Sequence, residues 1–114
     1  TDIWAGGRSF SASGSGYDPL GEFSEGDKVV TLPTVSAGFM TLKAGFLCND
    51  SQLNAPDPAL KKPHQQWTIT GDPTEAALIV SAAKADINES HLTQNRLDII
   101  PFQSEYQYMA ILNA

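Results

Sequence analysis

The sequence predicts an α+β domain in which an antiparallel β-sheet is flanked by α-helices. Three observations carry this expectation: hairpin-like strand pairs at both ends of the chain, helical patterns gathered in the middle, and no regular alternation of strand with helix. The 114 residues are read as a single domain over 1–114, long enough to bury a core without disulfide staples. Hydrophobic residues make up 41% of the chain, the share a globular core needs, which excludes whole-chain disorder.

The elements follow in order. Ile3 to Ala5 and Arg8 to Phe10 flank Gly6-Gly7, and a two-residue glycine turn supplies the positive φ angles of a tight hairpin. Residues 11–27, rich in Ser, Gly and acidic residues, read as a surface loop. Over 34–47, Val35, Phe39, Leu42 and Phe46 recur at helical spacing and predict one apolar face, with Pro33 just outside. Gly38 and Gly45 weaken that pattern. Residues 48–65, with Pro56, Pro58 and Pro63, read as a second loop, and 66–70 alternates so that Trp67 and Ile69 share one face of a strand. Asp72-Pro73-Thr74-Glu75 then opens a helix over 73–85: Asp72 caps free N–H groups, Pro73 suits the first helical position, and Glu75 completes a capping box. A short helix is expected from about Asn88. Arg96–Phe102 and Tyr106–Leu112 read as strands joined by Gln103-Ser104-Glu105, with Pro101 marking an edge or a bulge.

Charge and composition exclude several functions. Seven basic against 13 acidic residues give a net charge of −6, which opposes nucleic-acid binding and attachment to an anionic membrane surface. The adjacent basic pair Lys61-Lys62 lies in a loop. The apolar run Ala76–Val80 falls far short of a membrane span. Cys48 is the single cysteine, so no intrachain disulfide forms, and a reducing, cytosolic setting fits. It is expected to be a small buried residue, with no cation nearby to make it reactive. His64 and His91 have no ligand spacing with other residues, so no metal site is predicted. No phosphate-binding glycine loop and no Ser-His-Asp arrangement is present. The start at Thr1 and the apolar ending at Ala114 suggest a piece of a longer chain.

Four segments, in one order and spacing, carry a resemblance. They are Gly16-Tyr17-Asp18-Pro19-Leu20-Gly21, Leu47-Cys48-Asn49-Asp50, Thr70-Gly71-Asp72-Pro73-Thr74-Glu75-Ala76-Ala77-Leu78 and Ile100-Pro101-Phe102-Gln103-Ser104-Glu105-Tyr106-Gln107-Tyr108-Met109-Ala110. Together they resemble the nucleotide-binding domain of P-type cation-transporting ATPases, in the calcium-, sodium/potassium- and proton-pump-like subgroup and particularly its bacterial and archaeal relatives. The resemblance implies a cytoplasmic domain of an integral membrane pump. Such a domain binds ATP, as Mg-ATP in the parent protein, or ADP. It presents the terminal phosphate to an aspartate in a separate phosphorylation domain, beside an actuator domain of the same chain. The Asp-Lys-Thr-Gly phosphorylation motif is absent from these residues, so the fragment alone is expected to bind nucleotide and not to hydrolyse it. The family's Lys-Gly-Ala motif is expected beyond Ala114, which would leave the site here incomplete.

The resemblance also assigns roles. Phe102 stands where an aromatic ring stacks on adenine, and Glu75 where a carboxylate accepts from the adenine amino group. Gln107 stands where many relatives carry a basic residue that reaches the phosphates, and Ser104 where the animal pumps carry Arg. Met109 is expected in the core and at the pocket edge. The residues alone leave alternatives: Glu75 serving only the helix cap, Phe102 serving only a strand's core face, and the whole chain acting as a non-catalytic interaction module.

Overall fold

The computed structural model describes residues 2–14, 16–56, 67–87 and 96–114. The element order is β1 (Asp2–Ala5), β2 (Arg8–Ala12), β3 (Phe23–Glu25), β4 (Lys28–Val30), α1 (Ala37–Leu47), β5 (Gln52–Asn54), β6 (Thr68–Thr70), α2 (Pro73–Lys84), β7 (Arg96–Gln103) and β8 (Tyr108–Asn113). The α+β class is as expected, and every pairing among the described strands is antiparallel. The described strands form three sheets instead of one: β1-β2-β3-β4, β5-β6 and β7-β8.

The first sheet is a meander. Gly6 and Gly7 both have positive φ, +61° and +76°, and close the β1–β2 turn as the glycine pair predicts. Phe10 and Ala12 point inward from β2 while Arg8, Ser9 and Ser11 face solvent. Phe10, Ala12, Phe23, Leu32, Leu42, Ala82 and Ile87 form the core, with Ile3, Val30, Phe39, Phe46 and Ala85 packed against it. The sheet thus covers α1 and the C-terminal end of α2.

Several expectations are corrected. The loop over 11–27 contains the end of β2 and all of β3, which pairs with β4 from Phe23↔Val30 to Glu25↔Lys28. The loop over 48–65 contains β5, which pairs with β6 from Gln52↔Thr70 to Asn54↔Thr68. Helix α1 begins at Ala37 and not at 34, because Ser36 is its N-cap: its Oγ accepts from the N–H of Phe39 at 3.2 Å. Val35 therefore lies outside the helix and is 90% exposed, while Leu42, Phe39 and Phe46 hold the apolar face. Cys48 is partly exposed, not buried: it caps the end of α1, and the following Asn49 turns inward instead. The short helix near Asn88, and His64, His91, Lys61 and Lys62, lie outside the described residues.

Helix α2 matches its prediction closely. Asp72 Oδ1 accepts from the N–H of Thr74 at 2.7 Å and of Glu75 at 3.4 Å, and Pro73 occupies the first turn. Ala76, Ile79, Val80 and Ala82 are buried. At the far end Lys84 Nζ donates to the Ser13 carbonyl at 2.7 Å, which docks the 13–22 loop on the helix.

Across the sheet, the Arg8 guanidinium meets the Glu25 carboxylate in a bidentate pair with both bonds at 2.6 Å. The hydrogen bond from Arg8, more than its charge, holds the Glu25 carboxyl below its usual pKa, and the pair raises Arg8 in turn. A depressed folded-state value means that the stabilisation is present above the ordinary carboxylate range and is lost as pH falls through the folded value. Both groups are exposed, so the effect is small. Glu25→Gln should therefore melt slightly below the unsubstituted chain at pH 7, with a smaller gap at pH 3. An equal gap at both pH values would rule the pairing out as its source.

Candidate functional site

The β7–β8 hairpin carries four of the five residues singled out from the sequence. Its register runs from Arg96↔Asn113 at the open end to Gln103↔Tyr108 at the turn, with irregularities between Arg96 and Asp98 and between Ile100 and Gln103. The second irregularity sets three steps on β7 against two on β8, a bulge at Pro101-Phe102. Proline has no N–H to give to the ladder, so the bulge forms where the sequence allowed it. Phe102 sits in that bulge with 59% of its surface exposed.

The turn is longer than expected. The N–H groups of Tyr106 and Gln107 both donate to the Gln103 carbonyl, at 3.0 and 2.8 Å, and Gln107 adopts φ +57°. Strand β8 therefore starts at Tyr108, not Tyr106, and Ser104 and Gln107 lie in the exposed turn. Met109 is half-buried on β8. Tyr106 and Tyr108, which the sequence pattern marks only as strand residues, are exposed beside each other with ring centroids 6.3 Å apart. Phe102, Tyr106 and Tyr108 thus give the turn end of the hairpin three exposed aromatic rings.

Glu75 lies on a different element, in the first turn of α2, and is half-buried. Its carboxylate does not close the capping box. Instead Glu75 Oε1 accepts from the N–H of Asp50 at 3.4 Å. The 49–51 loop wraps this helix start: Asn49 Nδ2 donates to the Glu75 carbonyl at 2.7 Å, and Ser51 Oγ donates to the Asp72 carbonyl at 3.2 Å. Arg96 joins the same loop to the hairpin's open end, with Nη1 to Asp50 Oδ1 at 2.8 Å and Nη2 to the Asn49 carbonyl at 3.0 Å. The structure therefore groups Phe102, Ser104, Gln107 and Met109 toward the turn end and places Glu75 next to residues tied to the open end. Six residue steps along β7, roughly 20 Å, separate Arg96 from Phe102.

A cavity of about 840 Å³ opens between Phe46, Leu53, Trp67, Ile79, Ala83 and Arg96. None of the five sequence-predicted residues is among the described residues that line it. Polar side chains share the described lining with the apolar ones, among them Asn49, Ser51, Gln52, Asp86 and Asn113. No three acidic, histidine or cysteine side chains among the described residues are placed to hold a metal ion. No helix among them is long and apolar enough to cross a membrane.

Comparison with known proteins bears on this arrangement. A family model described as the P-type ATPase cytoplasmic domain N matches residues 40–114. The cation-transporting ATPase pma1 of Synechocystis is 44% identical over 97% of this chain. A probable cation-transporting ATPase F of Mycobacterium tuberculosis is 37% identical over 97% of it. A calcium-transporting ATPase of Bacillus subtilis is 28% identical over 98% of it. The chain spans 12% of the length of each of these relatives.

Proposed function

Because the chain belongs to the family of P-type ATPase cytoplasmic N domains, we propose that it holds the adenine end of ATP for an ATP-driven cation pump. The γ-phosphate then passes to an aspartate of the phosphorylation domain of that pump, in concert with its actuator domain. The observation that carries the reading is the exposed Phe102 ring, set in a bulge at a hairpin tip beside two further exposed aromatics. An aromatic face left open to water offers a stacking surface for a base, worth about 1–3 kcal/mol. Glu75 supplies the second contact, a charge-assisted bond from the adenine amine to its carboxylate. A grip by both on one base requires the hairpin to bend over the start of α2, and the two irregularities in β7 are where a strand bends most readily.

The phosphates project toward solvent. Gln107 offers a neutral amide where a cation would attract them, and the net charge of −6 opposes them. Affinity is accordingly on the order of millimolar, about −4 kcal/mol. ADP binds nearly as well as ATP, and the chain alone releases no phosphate.

Chemical-shift mapping with ATP tests this. The perturbed amides should cluster at Phe102, Ser104, Gln107 and Met109 and at Glu75, and Phe102→Ala should weaken binding by about 1–3 kcal/mol, enough to make it hard to detect. If Phe102→Ala binds as the unsubstituted chain does, the stacking site is wrong. A second reading, a non-catalytic interaction module, draws on exposed apolar residues of the same hairpin, Leu97, Ile100 and Leu112. It gains if ATP perturbs no residue of the hairpin.

A further inference from the structure

We infer that Asn49 is a positioning residue that aims the Glu75 carboxylate, and so sets the preference for adenine over other purines. This rests on the nucleotide reading above, and gives a part to Asn49 and Asp50, which that reading leaves out.

Asn49 is 6% exposed, and its amide is almost fully used. Nδ2 donates to the Gly45 carbonyl at 3.1 Å and to the Glu75 carbonyl at 2.7 Å, and Oδ1 accepts from the Ser51 N–H at 2.8 Å. The Gly45 carbonyl belongs to the last turn of α1, where carbonyls lack intrahelical partners. One buried side chain thus fastens the end of α1 to the start of α2. A buried amide with both donors engaged has little freedom, so it fixes the geometry of what it touches.

The consequence falls on the neighbouring residue. With Asn49 locked, the N–H of Asp50 points at Glu75 Oε1, 3.4 Å away. Arg96 adds bonds to the Asp50 carboxylate and to the Asn49 carbonyl, which further steady the loop. The local sequence, Asp72-Pro73-Thr74-Glu75, favours a different outcome, with the Glu75 carboxylate folded back on the helix cap. Asp72 already caps the helix through its own side chain, and the 49–51 loop draws Glu75 away. A carboxylate has about four acceptor positions. One long bond to Asp50 leaves most of that capacity for a ligand's N–H. Adenine presents an amine at its C6 position, and hypoxanthine presents a carbonyl there, which a carboxylate repels.

The test compares ATP with inosine triphosphate in NMR titrations of the 114-residue chain. Asn49→Ala, and the similar-sized Asn49→Leu that removes the amide without adding charge, should cut the ATP preference about tenfold, toward that of Glu75→Gln. Adding either to Glu75→Gln should bring no further loss. Ser51→Ala removes only the Ser51 Oγ bond to the Asp72 carbonyl, leaves the Ser51 N–H on Asn49 Oδ1, and should keep the preference. In the unsubstituted chain, the Asp50 amide resonance should move with ATP and not with inosine triphosphate, a readout that does not depend on any variant folding. If the Asn49 variants melt lower but keep the full preference, or if the Asp50 amide responds equally to both nucleotides, Asn49 is structural only. If the unsubstituted chain shows no preference at all, the adenine reading itself falls, and this inference with it.

Discussion

Phe10→Ala should destabilise the chain by about 3–5 kcal/mol, the usual loss when a buried phenylalanine is emptied to a cavity. Phe10 is 6% exposed and sits where β2 meets α1. A Cβ placed on Gly38 would stand 3.6 Å from Phe10 Cε2, so α1 passes close to the ring. A backbone so close cannot advance far to refill the space. Against a total stability of about 5–15 kcal/mol for a small domain, the loss is a large fraction. In a urea titration the midpoint should fall with an unchanged slope. Trp4 is the control: it lies on the neighbouring strand but is 74% exposed, and Trp4→Ala should stay within about 0.5 kcal/mol. Equal losses for the two would overturn the assignment of the core. Nucleotide affinity should fall only as far as the folded fraction falls, since Phe10 belongs to the core and to none of the residues proposed to contact nucleotide.

What the sequence made legible follows from how local each signal is. The start of α2 was readable because cap, proline and acidic residue act within one turn, and the Gly6-Gly7 hairpin because its turn requires φ angles that glycine adopts freely. The β3–β4 hairpin was not read, although Gly26-Asp27 is a turn signal and Gly26 does carry φ +60°. Strands as short as Phe23–Glu25 show too little alternation to stand out from the surrounding serines and acids. Strand β5 had no local signal, because its register with β6 is set across an intervening segment and by packing against α2. Val35 was misplaced because helical spacing continued through Ser36, whose side chain ends the helix there. The candidate site divides in the same way. Phe102 at a proline bulge was visible from residue types. The diversion of Glu75 from its cap to the Asp50 N–H was not, since it depends on Asn49 reaching 26 residues along the chain.

Gly71→Ala should cost stability and nucleotide binding together, through strain at the hinge between β6 and α2. Gly71 has φ +110°, a conformation that residues with a Cβ rarely adopt. Backbone strain of this kind costs roughly 1–3 kcal/mol on its own. Space adds to it: a Cβ here would meet Ser51 Oγ at 2.7 Å, its Cα at 3.1 Å and its Cβ at 3.2 Å. The oxygen can rotate aside, but the Ser51 backbone cannot move without shifting the 49–51 loop that holds Glu75. Ser51→Ala in the same chain should therefore rescue only part of the loss, because it removes the nearest atom but leaves the crowding against the residue 51 backbone and the strained φ. A domain of about 100 residues loses roughly 4–8 °C of melting temperature per kcal/mol, so Gly71→Ala should melt at least about 4 °C lower. Its ATP titration should weaken even at temperatures where the chain remains folded, because the displaced loop no longer aims the carboxylate. Full rescue by Ser51→Ala would show that crowding by the hydroxyl alone was at issue. An unchanged melting temperature would mean that the β6–α2 hinge accepts a side chain, and that the 49–51 loop is not held where this geometry puts it.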